Sequence, residues 1–284
     1  MKKSVGAQAG VLRIECGDQK GIIHKVTGVL FRKGLNIVQN DEFVDSETCR
    51  FFMRTEYSGR SPDSALLRSL KAVLPRDARV DLVPRRRKAV AVLATREHHC
   101  LGELLIRNAY GELGADIRAI VSNHLFLKDL AARFKIPYHH VPHERMTREK
   151  HEAKLLAILR RLRPDYVVLA KYMRILSPAF TSRYENRIIN IHHSFLPAFE
   201  GAHPYEQAYE RGVKIIGATA HFVNEDLDKG PIIAQGVVPV DHSHDAADMA
   251  QAGRDVEKLV LAKALALAFE DRIFVSGNRT VIFD

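Results

Sequence analysis

The sequence lacks the features that mark membrane and secreted proteins. No uninterrupted apolar run approaches the roughly 20 residues that a membrane-spanning helix needs. The positively charged start of the chain is not followed by the apolar segment of a secretory signal. Only three cysteines are present and they form no CxxC pair, which disfavours a disulfide framework and a thiolate zinc site: Cys16, Cys49 and Cys100. We therefore expect a cytoplasmic protein without a metal site and without a membrane partner.

The glycine-rich loops of nucleotide-binding proteins are also missing. The strand-like segment 90–94 is followed by residues 95–102, which hold one glycine where a dinucleotide site needs three. A GxxxxGK[ST] phosphate loop is absent as well. These absences exclude NAD, FAD and ATP as cofactors. Two interpretations stay open for His98, His99 and Cys100 after this strand: they line a pocket, or they form a turn and the start of a helix.

The composition describes a globular protein of about two domains. A length of 284 residues corresponds to about two domains of roughly 150 residues each. Lys and Arg number 43 and Asp and Glu 34, and the net charge of +9 suits either a nucleic acid or a small anionic substrate. The one basic run, 85–88, follows Pro84. We interpret it as a solvated linker between domains at 1–84 and 89–284.

Residues 1–84 carry the pattern of a ferredoxin-like βαββαβ domain. Apolar and charged residues alternate over 12–16, as in a half-buried strand, and residues 22–30 keep helical spacing. Segments 36–44 and 49–57 are expected to pair as a hairpin. A second helix and a last strand complete the order.

Two short motifs make this part resemble an ACT domain. They are Asp18-Gln19-Lys20-Gly21-Ile22-Ile23 and Gly34-Leu35-Asn36-Ile37. The resemblance implies a homo-oligomer, a dimer or a tetramer, and an amino-acid effector such as glycine or methionine. The effector site would be built on Asp18, Gly21, Ile22 and Asn36. The alternative that the glycines only shape loops stays open.

The remaining residues alternate strands and helices. This alternation predicts an α/β fold, a Rossmann-like, doubly wound and mostly parallel sheet with helices on both faces. Ligands of such sheets bind at the carboxyl ends of the strands.

The most informative segment is 187–197. Its isoleucines predict a strand, and Asn190 and His192, two residues apart, point to the same face. An amide donor beside an imidazole suits attack on a carbonyl, since the amide stabilises the developing oxyanion and the imidazole handles protons. The loop after the next strand offers Glu225, Asp226 and Asp228 as carboxylates, and spacing alone does not choose between them.

Three spaced motifs in this region resemble the folate-dependent formyltransferase family. They are Asn190-Ile191-His192, Ser194-Phe195-Leu196-Pro197 and Leu227-Asp228-Lys229-Gly230-Pro231-Ile232-Ile233. The resemblance assigns catalysis to Asn190, His192 and Asp228. It implies a folate-binding wall made by Tyr172, Met173, Arg174, Ile175, Leu176, Val223 and Asn224. The resemblance makes Lys171, His193 and His221 supporting positions. His193 and His203 flank the motif and are candidates to line the path of a water molecule.

Further stretches, and the ACT-like part before them, resemble the deformylase branch of this family. His98–Cys100 stands where the glycinamide ribonucleotide branch has a Gly-Ser-Asn loop, and Lys171 stands where that branch has glycine. Both departures disfavour a phosphorylated amine acceptor. The branch implies hydrolysis of 10-formyltetrahydrofolate to formate and tetrahydrofolate, with no cofactor beyond the folate substrate.

Two alternatives remain open. One is a formyltransferase with an acceptor such as tRNA or an amino sugar. The charge permits tRNA, but such enzymes usually carry a further basic domain and this sequence ends before one, so we expect no nucleic-acid partner. The other is a catalytically idle ACT-type sensor, which the intact Asn190, His192 and Asp228 disfavour.

Overall fold

The computed structural model describes residues 9–196 and 204–284. Contacts divide the chain into two compact units, one ending at Arg86 and including Phe283–Asp284, the other spanning Arg87–Ile282. Two residues named above lie outside the described residues: Pro197, which ends the motif 194–197, and His203, which follows it. Among the helices that are described, none is both long and apolar enough to cross a membrane.

The first unit is a four-stranded antiparallel sheet with two helices. Its elements are β1 (Ala9–Gly17), α1 (Ile22–Arg32), β2 (Asn36–Asp45), β3 (Arg50–Ser58), α2 (Asp63–Lys71) and β4 (Arg79–Pro84). The strands lie in the order β2-β3-β1-β4. Helix α1 buries one apolar stripe at helical spacing: Ile22, Val26, Val29 and Leu30. Gly21 precedes this helix at a φ of 85°, which glycine adopts without strain.

The four residues predicted as an effector site do not form one cluster within the chain. Asp18 follows the end of β1, and Gly21 and Ile22 begin α1, whereas Asn36 is the first residue of β2. Both Asn36 and the first residue of β1 pair with Ser58, so Asn36 lies at the opposite end of the sheet from Asp18. Because β1 has nine residues, these ends are roughly 26 Å apart. Helix α1 carries the chain from one end to the other, which the motif spacing does not reveal.

The second unit is a seven-stranded sheet with helices, followed by a small hairpin. Its elements are β5 (Lys88–Ala94), α3 (His99–Ala109), β6 (Ala115–Ser122), α4 (Lys128–Arg133), β7 (Tyr138–His140), α5 (Arg148–Leu162), β8 (Tyr166–Ala170), α6 (Pro178–Thr181), a 3-10 turn (Ser182–Tyr184), β9 (Ile188–His192), α7 (Pro204–Glu210), β10 (Ile215–Phe222), β11 (Ile232–Pro239), α8 (Ala246–Phe269), β12 (Ile273–Ser276) and β13 (Arg279–Ile282). The sheet order is β11-β10-β9-β8-β5-β6-β7.

Five neighbouring strands of this sheet, β9 to β7 in spatial order, run parallel. At one edge β10 runs antiparallel to both β9 and β11. The predicted α/β fold with a large, parallel-containing sheet is confirmed.

Alternation along the strands places two hydrophobic layers on the two faces of the sheet. In β8, Val168 joins the layer that contains apolar residues of α3 and α8, whereas Val167 and Leu169 join the layer of α5. This follows from the two-residue period of a strand. The carboxyl ends of β8 and β9 therefore lie between two packed layers, which hold the segments that follow these strands in place.

The interpretation of the basic run 85–88 as a solvated linker was wrong for Lys88. This lysine is the first residue of β5 and is 6% exposed, and its Nζ lies 2.7 Å from Oδ2 of Asp271. Arg87 pairs with Asp116 at 2.6 Å. A buried ammonium is tolerated because a carboxylate accompanies it. That carboxylate lies 183 residues away in sequence, so the charge run alone could not indicate it.

Candidate active site

The segments after β8, β9 and β10 enclose one cavity of about 500 Å³. A volume of this size is typical of sites for small molecules. The described residues that line it include every residue assigned above to catalysis and to the folate wall: Tyr172, Met173, Arg174, Ile175, Leu176, Asn190, His192, Val223, Asn224 and Asp228. The supporting positions Lys171, His193 and His221 line it as well.

Asn190 is oriented by a residue on the neighbouring strand. In the antiparallel pairing of β9 with β10, His221 lies opposite Asn190, so the two side chains share one face of the sheet. Nδ1 of His221 is 2.8 Å from the carbonyl oxygen of Phe222, and Nε2 is 3.2 Å from Nδ2 of Asn190. A neutral ring that donates from Nδ1 accepts at Nε2, so the amide of Asn190 donates one of its two N–H groups to His221. Its other N–H stays available to a ligand.

The loop after β10 carries the third catalytic candidate. Asp228 adopts a φ of 54°, in the left-handed region that residues other than glycine rarely occupy. Gly230 closes the loop against the strand, since a Cβ added there would overlap the carbonyl oxygen of Phe222. The amide of Phe222 donates to the carbonyl of Pro231 at 2.9 Å. This tight closure turns the carboxylate of Asp228 towards the strand ends, whereas Glu225 and Asp226 are exposed.

Asp228 contacts two imidazoles. Its Oδ2 lies 3.3 Å from Nδ1 of His192, and its Oδ1 lies 3.5 Å from Nε2 of His221. Burial by itself would raise the pKa of Asp228, but the hydrogen bond from His192 outweighs it and holds the pKa below its usual range. The carboxylate is therefore ionised at neutral pH. Of the three carboxylates left open by spacing, Asp228 is the one that reaches these rings.

His192 is 7% exposed and lies between Asp228 and a second imidazole. With Nδ1–H directed at Asp228, the neutral ring keeps its lone pair on Nε2. Among residues 9–196 and 204–284, that Nε2 has no hydrogen-bond partner. The ring of His193 stacks on His192, with centroids 4.7 Å apart and planes inclined by 21°. The ring of His192 thus contacts the carboxylate of Asp228 on one side and packs against the ring of His193 on the other.

His99 and Cys100 are not among the described residues that line this cavity. Both are buried in α3, in agreement with a turn that starts a helix. Nε2 of His99 lies 2.8 Å from Oε2 of Glu257 on α8. The first turn of α3 packs inward here, which the sequence pattern alone does not decide.

Sequence reasoning did not identify Glu257 as part of the site. This glutamate is 1% exposed and lies among buried residues of α8 such as Val260 and Leu261. Burial alone would raise the pKa of Glu257, but the hydrogen bond from His99 and the charge of Lys171 lower it to about 2. A carboxylate at an otherwise apolar helix position was the signal that could have pointed to it.

The chain is similar to known proteins of one family. Residues 88–265 match the family described as formyl transferase. The chain is 55% identical over 275 residues to the formyltetrahydrofolate deformylase of Escherichia coli (strain K12), covering 97% of this chain and 98% of that protein. It is similar to the crystal structure of a formyltetrahydrofolate deformylase from Pseudomonas syringae, with 40% identity, a TM-score of 0.94, and 99% of this chain and 96% of that chain covered. The glycinamide ribonucleotide transformylase 1 structure from Symbiobacterium toebii gives 31% identity and a TM-score of 0.67, covering 70% of this chain and 95% of that chain.

Proposed function

The chain belongs to the formyl transferase family and, within it, to the formyltetrahydrofolate deformylases, and on that premise we propose how its residues carry out the reaction. The chain is a hydrolase that converts 10-formyltetrahydrofolate and water to formate and tetrahydrofolate. Relatives that carry the deformylase name match it over nearly the whole length, including the first unit. This agrees with the deformylase branch that the sequence motifs indicate.

The cavity suits a flat ring with an anionic tail. The apolar side chains of Met173 and Ile175 are 62% and 59% exposed on its wall and are available to stack against a pterin. Arg148 and Arg174 line the same cavity. Guanidinium groups match carboxylates in shape and charge, so these two arginines would hold the glutamate tail of the folate.

In the proposed mechanism, water attacks the formyl carbon while three side chains act on it. The formyl oxygen becomes negative in the tetrahedral intermediate, and the available N–H of Asn190 donates to it. Asp228 and His192 together accept the proton of the attacking water. The intermediate collapses when this proton passes to the folate nitrogen, the C–N bond breaks, and formate and tetrahydrofolate leave.

The observation that carries these roles is the meeting of Asn190, His192 and Asp228 at one cavity, with the ionised Asp228 3.3 Å from His192. The test is to incubate the protein with 10-formyltetrahydrofolate as the only substrate and to quantify formate and tetrahydrofolate. Stoichiometric release by the wild type and its loss in Asp228→Asn are expected. Release that depends on an added tRNA or amine would instead indicate a transferase.

We also propose that the first unit is an ACT-type unit that pairs between subunits and binds an amino acid. The strand order and the two motifs support this. Because Asp18 and Asn36 lie at opposite ends of the sheet within one chain, an effector contacting both would need two chains. Sedimentation should show an oligomer, and glycine or methionine should raise its melting temperature. A monomer that responds to neither would contradict this proposal.

A further inference from the structure

Lys171 combines two unfavourable features next to the catalytic candidates. It follows β8 at a φ of 57°, a conformation in which glycine would be unstrained. It is also only 8% exposed, and a buried ammonium is unfavourable unless it is paired. A lysine kept in such a position needs contacts that offset both features.

The first contact of Lys171 is a buried ion pair with Glu257. Its Nζ lies 3.2 Å from Oε2 and 3.4 Å from Oε1 of that glutamate. The same carboxylate accepts from Oη of Tyr205 at 2.9 Å and lies 2.8 Å from Nε2 of His99. His99, Cys100 and Glu257 are close enough to share one cation. The ammonium of Lys171 already supplies a positive charge to this carboxylate, so we interpret the cluster as an ion pair.

The second contact of Lys171 leads to the catalytic histidine. Its Nζ lies 3.3 Å from Nδ1 of His193. An ammonium has donors only, so Nδ1 of His193 accepts and carries the lone pair. The proton of the neutral ring is then on Nε2, and protonation at Nδ1 would bring two cations face to face. The ring of His193 stacks on His192 at 4.7 Å.

We propose that Lys171 is a positioning residue for the hydrolytic reaction, which holds His193 as a neutral ring protonated on Nε2 and through this ring fixes the position of His192 against Asp228. This inference rests on the roles proposed above for His192 and Asp228. Lys171 contacts His193 and Asp228 contacts His192, with Glu257 behind Lys171. A cation beside His193 disfavours the addition of a proton to that ring.

The variant test is Lys171→Met, with Lys88→Met as the matched control. Both changes remove a buried lysine from an ion pair, Lys88 from its pair with Asp271. For Lys171→Met we expect kcat to fall about tenfold or more and KM for the folate to stay within about threefold. The acid limb of the pH–rate profile should move up by roughly one pH unit, because protonation of His193 becomes easier once the neighbouring ammonium is removed.

Lys88→Met should lower the melting temperature and leave the acid limb in place. A Lys171→Met enzyme that behaves in the same way would overturn the proposal and leave Lys171 a structural ion-pair partner. Failure of the proposed function would look different. The wild type would then release no formate, or Asp228→Asn would still release it.

A measurement on the wild type does not depend on whether a variant folds. In protein labelled with 15N-histidine, the side-chain signals of His193 are identified by their disappearance in His193→Gln. We expect an unprotonated Nδ1 and a protonated Nε2, retained at a pH where free histidine has become imidazolium. Titration of His193 in the range of free histidine, or a proton on its Nδ1, would overturn the proposal.

Discussion

His221 stands directly opposite Asn190 on the neighbouring strand, with its Nε2 3.2 Å from the amide nitrogen of Asn190. Nε2 of His221 also lies 3.5 Å from the carboxylate of Asp228. One buried imidazole thus contacts two of the three catalytic candidates. Its other nitrogen is occupied by the carbonyl of Phe222, so the ring cannot turn without losing that bond.

Replacing His221 by Phe should lower kcat more than it raises KM. A planar aromatic ring is kept, but the acceptor for Asn190 and the contact with Asp228 are lost. We expect kcat to fall roughly tenfold to a hundredfold, since misplaced catalytic groups have effects of this size. Steady-state kinetics with 10-formyltetrahydrofolate measure it. Wild-type kcat in a folded His221→Phe protein would show that this contact does not orient the site.

Gly230→Ala should impair activity through the position of the Asp228 loop. The added Cβ would overlap the carbonyl oxygen of Phe222, so the loop must move. We expect kcat to fall about tenfold or more, because the carboxylate shifts relative to His192.

Gly102→Ala is the matched control for this glycine. Gly102 lies inside α3, and among the described residues outside that helix none has an atom within 4 Å of an added Cβ. Alanine there should raise the melting temperature slightly, since it favours a helix by about 0.5–1 kcal/mol over glycine, and kcat should not change. Equal kcat values for the two alanine variants would contradict the proposed role of the loop.

Glu257→Gln should change how stability depends on pH. The pKa of Glu257 is lowered from an ordinary value of 4.5 to about 2 in the folded protein. A carboxyl group whose pKa is lowered by folding stabilises the folded protein at every pH above its pKa in the unfolded chain. This stabilisation disappears as the pH falls from about 4.5 to about 2. The difference corresponds to roughly 3 kcal/mol.

Thermal unfolding of the wild type and Glu257→Gln between pH 7 and pH 2 checks this. The variant should be the less stable protein at pH 7, and the two melting temperatures should converge towards pH 2. A constant difference over the whole range would show that the carboxylate charge is not what stabilises the cluster.

The placement of Asn190 and His192 could be predicted because it depends on local rules. Residues two apart on a strand share a face, and the carboxyl ends of parallel strands meet at one edge of the sheet. The choice of Asp228 could not be predicted from spacing, because the tight closure at Gly230 is a three-dimensional constraint. The family resemblance was needed to select it.

Contacts between residues distant in sequence escaped prediction for the same reason. Glu257 meets Lys171 across 86 residues, and Lys88 meets Asp271 across 183. From sequence alone, a charged residue is predicted to be exposed to solvent unless the partner that pairs with it in the interior is known. The separation of Asp18 from Asn36 likewise depends on the direction in which α1 crosses the sheet.

The role of Asp228 in hydrolysis is tested by measuring formate and tetrahydrofolate from 10-formyltetrahydrofolate alone, with wild type, Asp228→Asn and Asp226→Asn side by side. Asp226 is an exposed carboxylate two residues from Asp228 and serves as the control. We expect equimolar products from wild type and Asp226→Asn. We expect no turnover from Asp228→Asn, with tetrahydrofolate binding retained within a few fold. Hydrolysis by a folded Asp228→Asn enzyme at the wild-type rate would contradict this role.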